Sequence, residues 1–124
     1  MSRIIRIAEM YHQNDYDVSI DLIETVAADV LVIPVTHAIV AKTTGADAEA
    51  CTLANGKPGQ ILVVYIAVSG GGAGLATITP ATLTGFATVA LLGASDTVIF
   101  LYVDDIIGWI ILSAFGTDQP PVIA

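Results

Sequence analysis

The stretch Ile61-Leu62-Val63-Val64-Tyr65-Ile66-Ala67-Val68 follows the polar tract Asn55-Gly56-Lys57-Pro58-Gly59-Gln60. Rich in β-branched residues and bounded by turn formers, the octet reads as a strand. Successive side chains on a strand point to opposite faces. Ile61, Val63, Tyr65 and Ala67 therefore share one side, and Leu62, Val64, Ile66 and Val68 the other. Neither side is hydrophilic. An antiparallel sheet in a lone small domain normally leaves one face wet, so this strand needs cover on both sides.

The pattern recurs downstream. Ile99, Leu101 and Val103 oppose Val98, Phe100 and Tyr102, and Trp109-Ile110-Ile111-Leu112 is apolar throughout. Composition points the same way. Of 124 residues, 55% are hydrophobic before the 11 glycines are counted, against roughly 45–50% with glycine included in an average soluble domain. A chain of this length holds one core. Its apolar surplus needs a membrane or a partner to cover it.

A membrane is excluded as the outlet at this level. A spanning helix needs roughly 20 apolar residues in a row, and the longest candidates are broken by Ser95-Asp96 and Asp104-Asp105, or by Pro34 and His37. Met1-Ser2-Arg3-Ile4-Ile5-Arg6-Ile7 soon meets Glu9, His12, Gln13, Asn14 and Asp15, so no export signal is expected. The formal charge of −8, from 4 basic and 12 acidic residues, repels phosphate backbones and weighs against nucleic acid. A lone Cys51 forms no internal disulfide, which fits assembly in a reducing cytoplasm.

Turn residues divide the chain into short segments rich in Val, Ile, Thr and Tyr. Strands are expected near residues 17–23, 29–33, 36–42, 48–54, 61–68, 75–79, 86–92, 97–103 and 109–115. Arg3 to His12 carries Ile4, Ile7, Ala8 and Tyr11 at helical spacing, and an extended arm fits it equally well. Asn55 to Gly59 is a turn longer than a two-residue hairpin loop, because Pro58 cannot donate to a ladder. Ser69 to Gly74 reads as a glycine-rich hairpin tip, Asp104 to Gly108 as a hairpin, and Gln119-Pro120-Pro121 as the end of regular structure. Thr44-Gly45 and Thr84-Gly85 hint at two similar hairpins. The expected fold is all-β, a small antiparallel sandwich or barrel, with an N-terminal arm or short helix.

No residue set carries catalysis. The run Gly70-Gly71-Gly72-Ala73-Gly74 lacks a following Lys-Ser/Thr and leads into strand rather than helix, so it is not a phosphate loop. Asp15, Asp17 and Asp21 lack the glycine and terminal glutamate of a calcium loop. Asp104 and Asp105 suit a turn better than an acid–base pair. His12 and His37 share no metal-binding spacing, and Cys51 between Ala50 and Thr52 suits a small buried position. Trp109 with Tyr102 and Tyr65 suits packing better than a sugar platform. Neither an enzyme nor a bound cofactor or metal is expected.

Longer-range order is more telling. Thr43-Thr44-Gly45-Ala46-Asp47-Ala48 is followed by Thr52-Leu53-Ala54-Asn55-Gly56-Lys57-Pro58-Gly59-Gln60-Ile61, then a glycine-rich tip and Thr77-Ile78-Thr79-Pro80-Ala81-Thr82. Gly85-Phe86-Ala87-Thr88, Asp96-Thr97-Val98 and Gly108-Trp109 complete the series. In this order the motifs resemble a recurring β module of virion proteins from tailed bacteriophages, including those of cyanobacteria. The likeness covers about residues 43–116, with Ala94-Ser95-Asp96-Thr97 replacing the usual Gly-Asp turn and no counterpart for residues 1–42.

The resemblance implies a structural protein of the virion, a head decoration or cement protein. Such a protein binds the major capsid protein on the outer surface, as a homotrimer that clamps neighbouring capsomers. A receptor-binding fibre or spike module is the alternative. The expected partition is an arm with first strands at 1–42, a core module at 43–116 and a tail at 117–124. Leu62, Val64, Ile66, Phe100, Tyr102 and Trp109 are the expected subunit-interface residues, and Arg3, Ile4, Ile5, Arg6 and Ile7 the expected capsid-docking residues.

Overall fold

A computed structural model describes residues 22–71, 75–117 and 120–124. They are all-β, with ten strands and no helix among the described residues. The strands are β1 (Ile23–Val26), β2 (Val32–Ile33), β3 (Ile39–Thr43), β4 (Glu49–Leu53), β5 (Ile61–Val68), β6 (Ala76–Pro80), β7 (Val89–Leu91), β8 (Thr97–Tyr102), β9 (Trp109–Phe115) and β10 (Val122–Ile123). Two five-stranded sheets form, ordered β1-β3-β5-β8-β9 and β10-β7-β6-β4-β2. One core draws on both, with Val40, Val64, Phe100 and Trp109 from the first and Ile33, Leu53, Ile78 and Leu91 from the second. The arrangement is a β-sandwich.

The expectation of antiparallel sheets is corrected. β1, β3 and β5 pair in parallel, and so do β2, β4 and β6. The chain alternates between the sheets through its first six strands, winding as a flattened coil whose successive turns stack in register. Parallel neighbours need a crossover, and here the opposite sheet provides it. From β7 onward the pairing turns antiparallel, with β7 against β6 and β10, and β8 against β5 and β9.

Several local readings change with this topology. The Ser69–Gly74 connection joins β5 to β6 across the sandwich and is no hairpin tip. Thr44-Gly45 lies on a crossover while Thr84-Gly85 lies between neighbouring strands of one sheet, so the two sites are not similar hairpins. Regular structure continues past Pro121, because Val122–Ile123 pairs with β7. Most of the expected strand at 17–23 lies outside the described residues, and β1 occupies 23–26 instead. The expected helix or arm at Arg3–His12 also lies outside them.

A boundary at 42/43 would cut β3, and Val26, Ile33 and Val40 belong to the same core as the later strands. Two polar links join the sheets at opposite ends of the sandwich. At one end Lys42 of β3 meets Glu49 of β4, and at the other the Trp109 indole of β9 donates to the carbonyl of Ala54, just past β4.

Candidate interaction surface

Strand register fixes which side chains share the outward face of the β1-β3-β5-β8-β9 sheet. One row runs Ile23, Ile39, Val63, Ile99, Ser113, and the next Thr25, Ala41, Tyr65, Thr97, Phe115. A third comprises Ile61, Leu101 and Ile110. No charged residue occurs in the three rows. Leu112 is the extra residue of a bulge where the β8–β9 register shifts, and it too is exposed. Ile23, Ile61, Leu112 and Phe115 are each about half exposed (51%, 50%, 51% and 50%), a large open apolar area for so small a domain.

The opposite outer face is built differently. Val32, Thr52 and Thr79 form one row, and Ala50, Thr77, Ala90 and Val122 another. Thr and Ala side chains fill its central strands, with Val32 (61%) and Val122 (52%) exposed on the two edge strands.

The six residues expected at a subunit interface face the other way. Leu62, Val64, Phe100, Tyr102 and Trp109 are 0% exposed, and Ile66 1%, within the single chain. They form its own core, so that expectation is corrected: the outward face of the same strands carries Val63, Tyr65, Ile99 and Leu101, each partly exposed. Two apolar faces could not be ranked by alternation. Aromatic bulk was the available signal, since Phe100, Tyr102 and Trp109 all lie on the side that packs inward, where large rings bury the most surface. Arg3, Ile4, Ile5, Arg6 and Ile7 lie outside the described residues.

Trp109 organises the end of the sandwich where the Asn55–Gln60 turn sits. Its ring meets Tyr102 and Phe100 edge to face, with centroids 5.1 and 5.9 Å apart. A Cβ on Gly56 would lie 2.8 Å from the indole, so this turn position admits no side chain. Gln60 fastens the turn by accepting from the Lys57 amide at 2.9 Å and donating to the Val35 carbonyl at 2.8 Å. Gly108, at φ 72°, lets the β8–β9 hairpin approach the Thr82 carbonyl. The order of glycine, glutamine and tryptophan in the sequence is thus a packing code.

An open cleft of about 640 Å³ lies beside the turn, lined by Val35, Thr36, Asn55, Lys57, Pro58 and Gln60 among others.

Three of the described aspartates are bonded locally. Asp104 accepts from the amides of Ile106 and Ile107, and the Tyr102 hydroxyl donates to Asp105 at 2.6 Å. That bond, with burial and the two aspartate charges, pushes the Tyr102 phenol up to about 12. Buried Asp96 accepts from the amides of Leu92 and Gly93.

Lys42 and Glu49 were not anticipated. Both are buried, and the ammonium spends its three donors on the Ala27 and Val30 carbonyls and on Glu49 at 3.0, 2.8 and 2.6 Å. Burial alone would raise the Glu49 carboxyl, but the bonds from Lys42 and from the Gly45 and Asp29 amides, with the lysine charge, hold it below its ordinary value. Lysine in an apolar strand was the visible sign; its partner was not.

Cys51 is buried beside this pair, and burial raises its thiol pKa, which makes it a poor nucleophile. Among the described residues, no three His, Cys, Asp or Glu side chains gather as a metal site requires. Comparison with protein-family models, with characterised proteins and with solved structures finds no match.

Proposed function

We propose that this chain is a non-enzymatic structural protein of a virus particle, a decoration or cement protein. It binds the outside of a phage head and stabilises contacts between neighbouring capsomers. The observation that carries the reading is the charge-free apolar outer face of the β1-β3-β5-β8-β9 sheet. Such a face suits a protein whose work is association, and the order of motifs over residues 43–116 supports the viral context.

The working unit is a homotrimer bound to the major capsid protein. Trimerisation multiplies the formal charge of −8 threefold, which suits an outer surface and disfavours a lining against packaged DNA. Three subunits also let weak capsid contacts add by avidity. In this reading Arg3 and Arg6, with Ile4, Ile5 and Ile7, supply concentrated positive charge and apolar contact for docking.

The test is reconstitution. Purified protein added to heads that lack it should appear as regular density on the outer surface and raise the temperature at which heads release DNA. Heads that stay bare reject the reading. Removing residues 1–10 should abolish head binding without altering the mass of the free protein; full occupancy would reject docking through Arg3–Ile7.

A fibre or spike module for receptor binding is the second reading, favoured by the open cleft beside the Asn55–Gln60 turn. Saturable binding of a glycan, lost on filling the cleft with Thr36→Trp, would support it over the first.

A further inference from the structure

We infer that Asn55-Gly56 is a self-modification site, at which the folded chain deamidates through a cyclic imide and the isoaspartate product loosens the end of the sandwich held by Trp109. No enzyme, cofactor or partner is required. The chemistry holds whether or not the chain coats a phage head.

The reaction is an intramolecular acyl transfer. The Gly56 amide nitrogen, having given its proton to hydroxide, attacks the side-chain carbonyl carbon Cγ of Asn55. The new N–Cγ bond forms, the bond from Cγ to the side-chain nitrogen breaks, and ammonia leaves with a proton from water. Water then opens the imide. Attack at Cγ leaves aspartate, whereas attack at the Asn55 main-chain carbonyl leaves isoaspartate, with the chain rerouted through the side chain and longer by one methylene.

The fold leaves this path open. Asn55 is exposed, and its side chain makes no hydrogen bond among the described residues. The Gly56 amide is likewise unbonded among them, although the Lys57 amide is held by Gln60 and the Gly59 amide by the Tyr102 carbonyl. Cyclisation therefore gives up no hydrogen bond, a loss that would shield any amide of the strand ladders. Glycine after asparagine puts no side chain in the way of ring closure. Both residues line the open cleft of about 640 Å³, so water reaches the imide. The chain's other asparagine, Asn14, precedes Asp15, whose side chain hinders the same attack.

The backbone has no slack for the isoaspartate. On one side the Ala54 carbonyl is fixed by the Trp109 indole at 2.9 Å. On the other, Gln60 clamps Lys57 and Val35 through its side chain, and its own carbonyl accepts from the Tyr102 amide at 2.8 Å. Between these anchors Gly56 lies against the indole so closely that even a Cβ would sit 2.8 Å from it. An extra methylene there must displace an anchor, and the indole bond to Ala54 is adjacent to it. The Lys42–Glu49 link lies at the opposite end, so the loosening is local.

The full chain held in mildly alkaline buffer, beside the same chain in urea and beside Asn55→Ser, tests the site. Intact mass, isoaspartate-specific methylation and fragmentation that locates the change are the readouts. The folded wild type should exchange NH2 for OH at position 55 and gain isoaspartate there, and Asn55→Ser should do neither. A chain modified at 55 in urea yet not when folded overturns the inference, because the fold would then be shielding the site. A change at position 14 alone overturns it too.

The single tryptophan reports the consequence. The isoaspartate-bearing fraction, separated by its added charge, should emit at longer wavelength and unfold at lower urea than unmodified protein of the same age. Freshly made Asn55→Asp carries the charge without the methylene and should keep the wild-type emission. Equal emission and equal unfolding midpoints in the isoaspartate fraction would overturn the loosening at Trp109, as would a fresh Asn55→Asp that shifts just as far.

Discussion

The two sheets of the sandwich share one core and differ in what they show outside. Inward, both are dry: Val64 and Phe100 on one side meet the same cluster as Ile78 and Leu91 on the other. Outward, the central strands of the β10-β7-β6-β4-β2 sheet present Thr52, Thr77, Thr79 and Ala50, with Val32 and Val122 at its edges, whereas the central strands of the β1-β3-β5-β8-β9 sheet present Ile39, Val63, Tyr65, Ile99 and Leu101. Hydrophobic burial scales with apolar area removed from water, so one outer face gains little from cover and the other gains much. The difference teaches that strands β5, β8 and β9 carry apolar side chains on both faces, whereas on the other sheet the exposed apolar residues sit on the edge strands, at Val32 and Val122.

The largest expected effect comes from what the sheets share. Lys42→Met leaves Glu49 buried without its cation and should cost about 3–5 kcal/mol in denaturant unfolding, much of it recovered in a Lys42→Met, Glu49→Leu double variant. The pair also sets an acid limit. Because the folded carboxyl lies below its ordinary value of 4.5, its contribution is complete above that pH and is lost as pH falls through the depressed value. Wild-type stability should therefore drop more steeply on acidification than that of the double variant; parallel pH profiles would break the account.

Next come the inner faces, which should respond alike. Leu62→Ala in one sheet and Ile78→Ala in the other should each cost about 2–5 kcal/mol, measured by urea unfolding at low protein concentration. A negligible cost at Leu62 would return it to the surface and invert the assignment of faces.

A smaller loss, about 1–3 kcal/mol, is expected for Gly56→Ala, where the added methyl presses on the Trp109 ring. Tryptophan fluorescence should shift in the folded variant, and an unchanged spectrum with unchanged stability would dismiss the contact.

The smallest effects separate the outer faces most sharply. In a single chain, Val63→Ala and Thr77→Ala should each move stability by no more than about 0.5 kcal/mol. At concentrations where copies associate, Val63→Ala should lower the melting temperature by an amount that grows with concentration, and Thr77→Ala should not. The same concentration dependence in both would erase the contrast between the sheets.

Much of the fold was legible in short segments. Strands β5 (Ile61–Val68) and β9 (Trp109–Phe115) fall at their expected limits because turn formers bound each of them. The Asp104–Gly108 hairpin was readable for the same reason, with aspartate oxygens satisfying free amides. β10 was hidden behind Pro120-Pro121, which break local structure yet leave Val122–Ile123 free to pair with β7. The six residues expected at an interface lie on the inward side of their strands, in the core. The Lys42–Glu49 pair joins strands in different sheets, a relation no local pattern records.

The sequence by itself determined that the described residues are all-β, where most of their strands lie, and that three of them are apolar on both faces. These follow from the alternation of side chains and from the φ limits of glycine and proline. Only the tertiary structure decided that the first six strands pair in parallel across two sheets, and that Leu62, Phe100 and Trp109 rather than Val63, Ile99 and Leu101 fill the core. Pairing partners and the inward face are set by contacts distant in the chain, and when both faces are equally apolar the period of two carries no sign.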